Sequence, residues 1–236
     1  MKKGILLFIA FFSVFGLKAQ NLIGAWEGYT TTDNGDKLRH VVIFADGYQV
    51  LTTYDAKTGK FIHTNGGTWE LEGDLITEKV EFHTDDADRV GTESRFKVKI
   101  TDTTLQIVGN DMILRRIDDG KPGALQGAWL MSGRIRDGKT QTRDTSRPRK
   151  TMKILSGTRF QWIAYNTETK QFMGTGGGTY TTKDGKYTEN IEFFSRDDSK
   201  AGRSLSFTYE LKDGNWHHSG LSSKGNPIYE IWSIRK

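Results

Sequence analysis

The chain contains no cysteine, and only 3 of its 236 residues are proline. Without a thiol there can be no disulfide framework, no thiolate metal site and no cysteine nucleophile, so packed cores alone must hold the fold. Helix signals are scarce as well, because no window sustains apolar residues at a 3.6-residue period. Long hydrophobic runs are also missing. The run Ile5 to Leu17 has 13 residues, short of the roughly 20 that cross a bilayer as a helix. It follows Lys2 and Lys3 and precedes the small residue Ala19. That order of charge, apolar run and small residue predicts a secretory signal peptide over residues 1–20. The expected product is periplasmic or secreted, with no transmembrane segment left after cleavage.

The remaining composition, 35% hydrophobic and 27% charged, is that of a globular protein. The whole chain carries a formal charge of +5, but Lys2, Lys3 and Lys18 leave with the leader. No nucleic-acid partner is therefore expected. The sign of the charge changes along the chain. Residues 21–120 hold 11 Lys+Arg against 18 Asp+Glu, whereas residues 121–236 hold 20 against 11.

Self-similarity explains that division. Leu22-Ile-Gly24-Ala25-Trp26 is answered by Leu125-Gln-Gly127-Ala128-Trp129 at an offset of 103, and Tyr54 to Phe96 matches Tyr165 to Phe207 at an offset of 111. In the second match 14 of 43 positions are identical, without a gap. The chain therefore reads as two copies of one unit. The offset grows by eight between the two motifs, which places an insertion within Asp137 to Lys150 of the second copy. A turn-rich linker at 119–123 separates a first, acidic repeat over 21–118 from a second, basic repeat over 124–236.

Within each copy, short runs rich in Thr, Val, Ile, Tyr, Phe and Trp alternate at period two between Asp-Gly, Gly-Asp and Thr-Gly turns. This predicts an all-β chain of two tandem, small, antiparallel up-and-down β-barrels, since closure removes exposed strand edges. A pair of β-sandwiches is the second architecture that fits the pattern.

The two Gly-Ala-Trp openings resemble the Gly-x-Trp first-strand motif of lipocalins and the wider calycin barrels. That resemblance implies that Trp26 and Trp129 close one end of each barrel under a cation from the last strand. Arg116 matches the cation in the first copy. In the second, Ile234 takes its place and Arg235 is the adjacent cation. The glycine, tyrosine and glutamate pattern around Gly176–Tyr180, Tyr187–Glu192 and Glu230–Trp232 is also similar to exported bacterial proteins of unassigned function.

The candidate site comes from alternation. Ile76, Glu78, Val80 and Phe82 share one strand face, as do Tyr187, Glu189, Ile191 and Phe193. Each face is apolar except for one glutamate. If these faces point inward, Glu78 and Glu189 orient a small apolar or amphipathic ligand, with Tyr54, Trp69, Phe82, Tyr165, Tyr180 and Phe193 as walls. The structural alternative is a glutamate bonded to an internal Arg, Tyr or Thr. A basic cluster, Arg134, Arg136, Arg143, Arg147, Arg149 and Lys150, could bind an anionic glycan, lipid head group or protein, or dock against the acidic first repeat. The five histidines show no ligand spacing, and no catalytic motif stands in its required context. Binding rather than catalysis is expected, with no metal and no cofactor; surface interaction by filled barrels is the alternative function.

Overall fold

The computed structural model describes residues 22–121 and 123–235. The proposed leader over 1–20 and Pro122 of the linker lie outside the described residues. The described residues form 17 β-strands. Strands β1 (Gly24–Thr31), β2 (Lys37–Ala45), β3 (Tyr48–Asp55), β4 (Phe61–Glu72), β5 (Leu75–His83), β6 (Glu93–Ile100), β7 (Thr104–Ile107) and β8 (Ile113–Asp118) close in sequence order. The second sheet runs through β9 (Gly127–Arg136), β10 (Lys139–Thr142), β11 (Arg149–Leu155), β12 (Arg159–Asn166), β13 (Phe172–Lys183), β14 (Lys186–Phe194), β15 (Ser204–Lys212), β16 (Asn215–Leu221) and β17 (Pro227–Ile234). Pairing of β17 with β9 closes eight of these strands, and β10 hangs outside as a hairpin on β9. The chain is thus two closed antiparallel barrels rather than two sandwiches, and β10 falls inside the expected insertion.

The repeated Leu-x-Gly-Ala-Trp motif is explained by its contacts. Trp26 Nε1 donates to the Leu22 carbonyl at 3.0 Å, and Trp129 Nε1 to Leu125 at 2.9 Å. Gly24 has φ +123°, and a Cβ there would lie 2.1 Å from the Asp118 carbonyl oxygen; only glycine allows the last strand to approach that closely.

Three cores result. One fills the first barrel around Trp26, Val42, Phe44, Trp69, Ile76 and Leu105. Another fills the second around Trp129, Phe160, Tyr187, Phe207, Trp216 and Trp232. The third lies between the barrels and joins Val41, Ile43, Val50, Tyr54 and Phe82 to Met152, Ile154, Ile163, Tyr165 and Phe193. Strand β2 is consequently buried on both faces, with Val42 and Phe44 inward and Val41 and Ile43 toward the other repeat.

Contacts between the repeats are reciprocal, as in a two-fold dimer interface. Tyr54 Oη donates to Glu192 at 2.6 Å, and its repeat counterpart Tyr165 donates to Glu81 at 2.5 Å. Phe61 stacks on its own counterpart Phe172, ring centroids 6.1 Å apart. Buried Gln161 bonds Thr52, Thr64 and Thr175. At the joint, buried Asp118 accepts from Ser156, Gly157 and Thr158, which fixes the end of β8 to the β11–β12 turn.

Candidate functional site

A β-bulge decides which side chains enter each lumen. Gly66 pairs with Phe82 but Gly67 with Val80, which leaves Glu81 as the extra residue; Gly177, Gly178 and Glu192 repeat the arrangement. A Cβ on Gly67 would sit 1.9 Å from the Lys79 carbonyl oxygen, so the paired glycines are what admit the bulge. Beyond it the period of two is broken. Glu78 and Val80 face the first lumen, Glu81 and Phe82 both turn outward, and His83 faces inward again.

This corrects four of the expected walls. Tyr54, Phe82, Tyr165 and Phe193 belong to the core between the repeats, not to the lumens. Trp69 and Tyr180 do pack on the lumen side, yet they plug one end instead of lining a cavity: Trp69 Nε1 donates to the Ala45 and Tyr48 carbonyls, and Tyr180 Oη to that of Ser156. Arg116 stacks 3.9 Å from the centre of the Trp26 ring. Arg235 does not cover Trp129. The pairing of Ile234 with Trp129 matches that of Arg116 with Trp26, so the next residue points the other way, toward the first repeat. There Arg235 forms a two-pronged ion pair with Glu81 (2.7 and 2.6 Å) and stacks on Tyr48. Trp129 meets Trp216 edge-on instead.

The first lumen holds a cavity of about 250 Å³ lined by Val42, Phe44, Ile76, Phe96, Val98 and Leu105, with Glu78 among them. Among the described residues Glu78 has no hydrogen-bond or ion-pair partner. Desolvation pushes its pKa from 4.5 to about 7, with Arg89 pulling weakly the other way. Between those values the native state holds the proton more tightly than the unfolded chain. Stability is therefore full below about pH 4.5 and falls by about 3 kcal/mol as pH rises toward 7. Glu78→Gln should be close to wild type at pH 4.5 and more stable by up to about 3 kcal/mol at pH 8, as read from urea midpoints. A stability difference that stays constant with pH would contradict this.

The second lumen contains about 340 Å³ and differs in chemistry. Register places Lys153 where the first barrel has Val42, both pairing with the first-strand Trp. Lys153 Nζ donates to Glu189 at 2.6 Å, and both side chains are 6% exposed. The ammonium also sits 5.1 Å from the ring centres of Tyr187 and Trp216. His218 and Glu230 line the same cavity with Nδ1 3.4 Å from Oε2. Desolvation, reinforced by Lys153, lowers the His218 pKa and keeps the ring neutral. Burial opposes ionisation of Glu230, but His218, Lys153 and Trp232 outweigh it and hold its pKa low. The sequence reading identified both lumen glutamates but missed Lys153, His218 and Glu230. Lys153 was detectable as a lysine interrupting the apolar run Met152–Leu155.

Residues 124–234 match the model of a domain of unknown function, DUF4488. That match spans the second repeat, including Lys153, Glu189, His218 and Glu230. The chain is also similar to an uncharacterized protein from Bacteroides eggerthii DSM 20697, at 17% identity over 46% of this chain and 98% of that one, with a TM-score of 0.31. No curated protein matches the chain.

Among the described residues, no group of three or more His, Asp or Glu is placed to hold a metal ion. No helix there is long and apolar enough to cross a membrane. The expected anion patch remains on the surface. Arg134 bonds Gln141 on β10, and Arg136 and Arg147 contact the neighbouring acids Asp137 and Asp144. Arg143 donates to Thr151 and Lys150 to the Thr145 carbonyl, while Arg149 is exposed. The second-repeat cations that do reach the first repeat are Arg159 and Arg235 in the interface and Lys170, which donates to Asp88.

Proposed function

We propose that this is an exported binding protein that takes a small amphipathic molecule into its barrel lumens without catalysing a reaction on it. The observation that carries this reading is Glu78: a carboxyl group lining a mostly apolar cavity of about 250 Å³ with no hydrogen-bond or ion-pair partner among the described residues. A half-buried carboxyl retained only for structure would be expected to bond a neighbouring side chain, because partial desolvation without a partner destabilises the fold. A molecule with an apolar body and a donor group would satisfy it. Export follows from the leader-like residues 1–20.

Native mass spectrometry of the protein purified from its natural host tests the reading. The expected result is a retained small molecule, lost or depleted in Glu78→Gln. Protein of bare mass, together with no tryptophan fluorescence response to any amphipathic probe, would overturn it.

The exposed β9–β10 hairpin supports a second reading, a surface for an anionic partner. Its arginines have only local contacts, so such binding would weaken steeply with salt.

A further inference from the structure

In the second lumen the charges are already matched, and the groups left over are acceptors. Lys153 donates to Glu189 Oε1, which also takes the Tyr187 hydroxyl, and Trp232 Nε1 donates to Glu230 Oε2. His218 is 2% exposed; its Nδ1 lies 3.4 Å from Glu230 Oε2, and among the described residues its Nε2 has no hydrogen-bond partner. With Nδ1 turned to Glu230, Nε2 is left as a free acceptor on a ring that also lines the cavity. An unsatisfied buried acceptor of this kind is costly unless something donates to it.

The surroundings narrow what that donor can be. A cation is opposed by Lys153, which already sits over the Tyr187, Trp216 and Trp232 rings, and by Lys200 and Arg203 along the cavity. An anion is opposed by Glu189 and Glu230. The walls are flat and apolar, formed by Trp162, Phe194, Phe207 and Trp232. Resting on the lumen-binding reading, we propose that the second barrel binds an uncharged molecule with a planar apolar body and a hydroxyl or N–H group that donates to His218. The first lumen has Ile107 at the position of His218, so a donor entering it meets the Glu78 carboxyl and no imidazole.

The test uses the full chain carrying Glu78→Leu, which removes the carboxyl acceptor of the first lumen, with three probes of similar size: 1-naphthol, 1-methoxynaphthalene, which has no donor, and the anion 1-naphthoate. Affinities are read by calorimetry and by tryptophan fluorescence. We expect 1-naphthol to bind about tenfold or more tightly than 1-methoxynaphthalene, the loss typical of an unmade buried hydrogen bond, and His218→Phe to bring the two within about twofold. If the variant does not fold, the ¹⁵N resonance of His218 Nε2 in wild type takes its place and should shift with 1-naphthol alone. Equal affinity for the first two probes, or an unmoved resonance, overturns the donor requirement while leaving lumen binding intact. Tightest binding of 1-naphthoate overturns it in favour of an anion site. If no probe binds, it falls together with the lumen reading.

Discussion

Replacing Lys153 with methionine is expected to destabilise the protein by about 3–5 kcal/mol, because it leaves the Glu189 carboxylate buried without its counter-charge. The pair is far from solvent, with both side chains 6% exposed and 2.6 Å apart. Tyr187 still donates to Glu189, but one neutral hydroxyl cannot balance a full charge. Adding Glu189→Gln removes the orphaned charge, and the double variant should recover most of the loss, since replacing a buried pair as a whole is often nearly neutral. The first barrel already carries the apolar version of this position as Val42. Urea unfolding of the two single variants and the double variant forms the complete cycle. Additive losses would show that the two groups do not act as a pair.

The second large effect is expected between the repeats. Arg235→Met should cost about 3 kcal/mol, because among the described residues Glu81 would keep only the Tyr165 hydroxyl as a direct partner. The mirrored site supplies an internal comparison. Glu192 is held by Arg39, Arg159 and Tyr54 together, so Arg39→Met leaves one guanidinium in place and should cost clearly less. A surface control such as the Arg95–Glu93 pair, 66% and 55% exposed, should change stability by no more than about 1 kcal/mol when broken. Hydrogen exchange provides a second readout. Amides of β3 and β12, which flank Tyr54 and Tyr165, should lose protection in Arg235→Met ahead of those lining the lumens. Equal losses from Arg235→Met and Arg39→Met would rule out the different occupancy of the two glutamates.

These two sites differed in how visible they were. Glu189 was legible as the one charge on an apolar strand face, and its inward direction follows from alternation before the bulge. Lys153 sits in an apolar run, so its place in the lumen needed only the register of β11. Alternation puts Glu81 and Glu192 on the strand faces opposite the lumen glutamates, yet nothing local marks a carboxylate on such a face as buried. Their partners across the interface stand far away in sequence, Arg235 by 154 residues from Glu81 and Tyr54 by 138 from Glu192. Val41 to Ala45 carried the one available hint, a stretch apolar at every position. Such a stretch signals burial on both faces.

From the amino-acid order alone came the duplication, the all-β class, the up-and-down barrels and the inward glutamates, because repeats, period-two alternation and turn residues act over a few positions. Only the folded molecule decided that Phe82 and Phe193 leave the lumens, that the repeats pack through Tyr54 and Tyr165, that Arg235 serves the interface instead of Trp129, and that the two cavities differ in charge. The physical reason is shared. A bulge adds one residue and reverses every later side chain, and pairing between distant carboxylates and guanidiniums depends on how two curved surfaces meet, which no local pattern encodes.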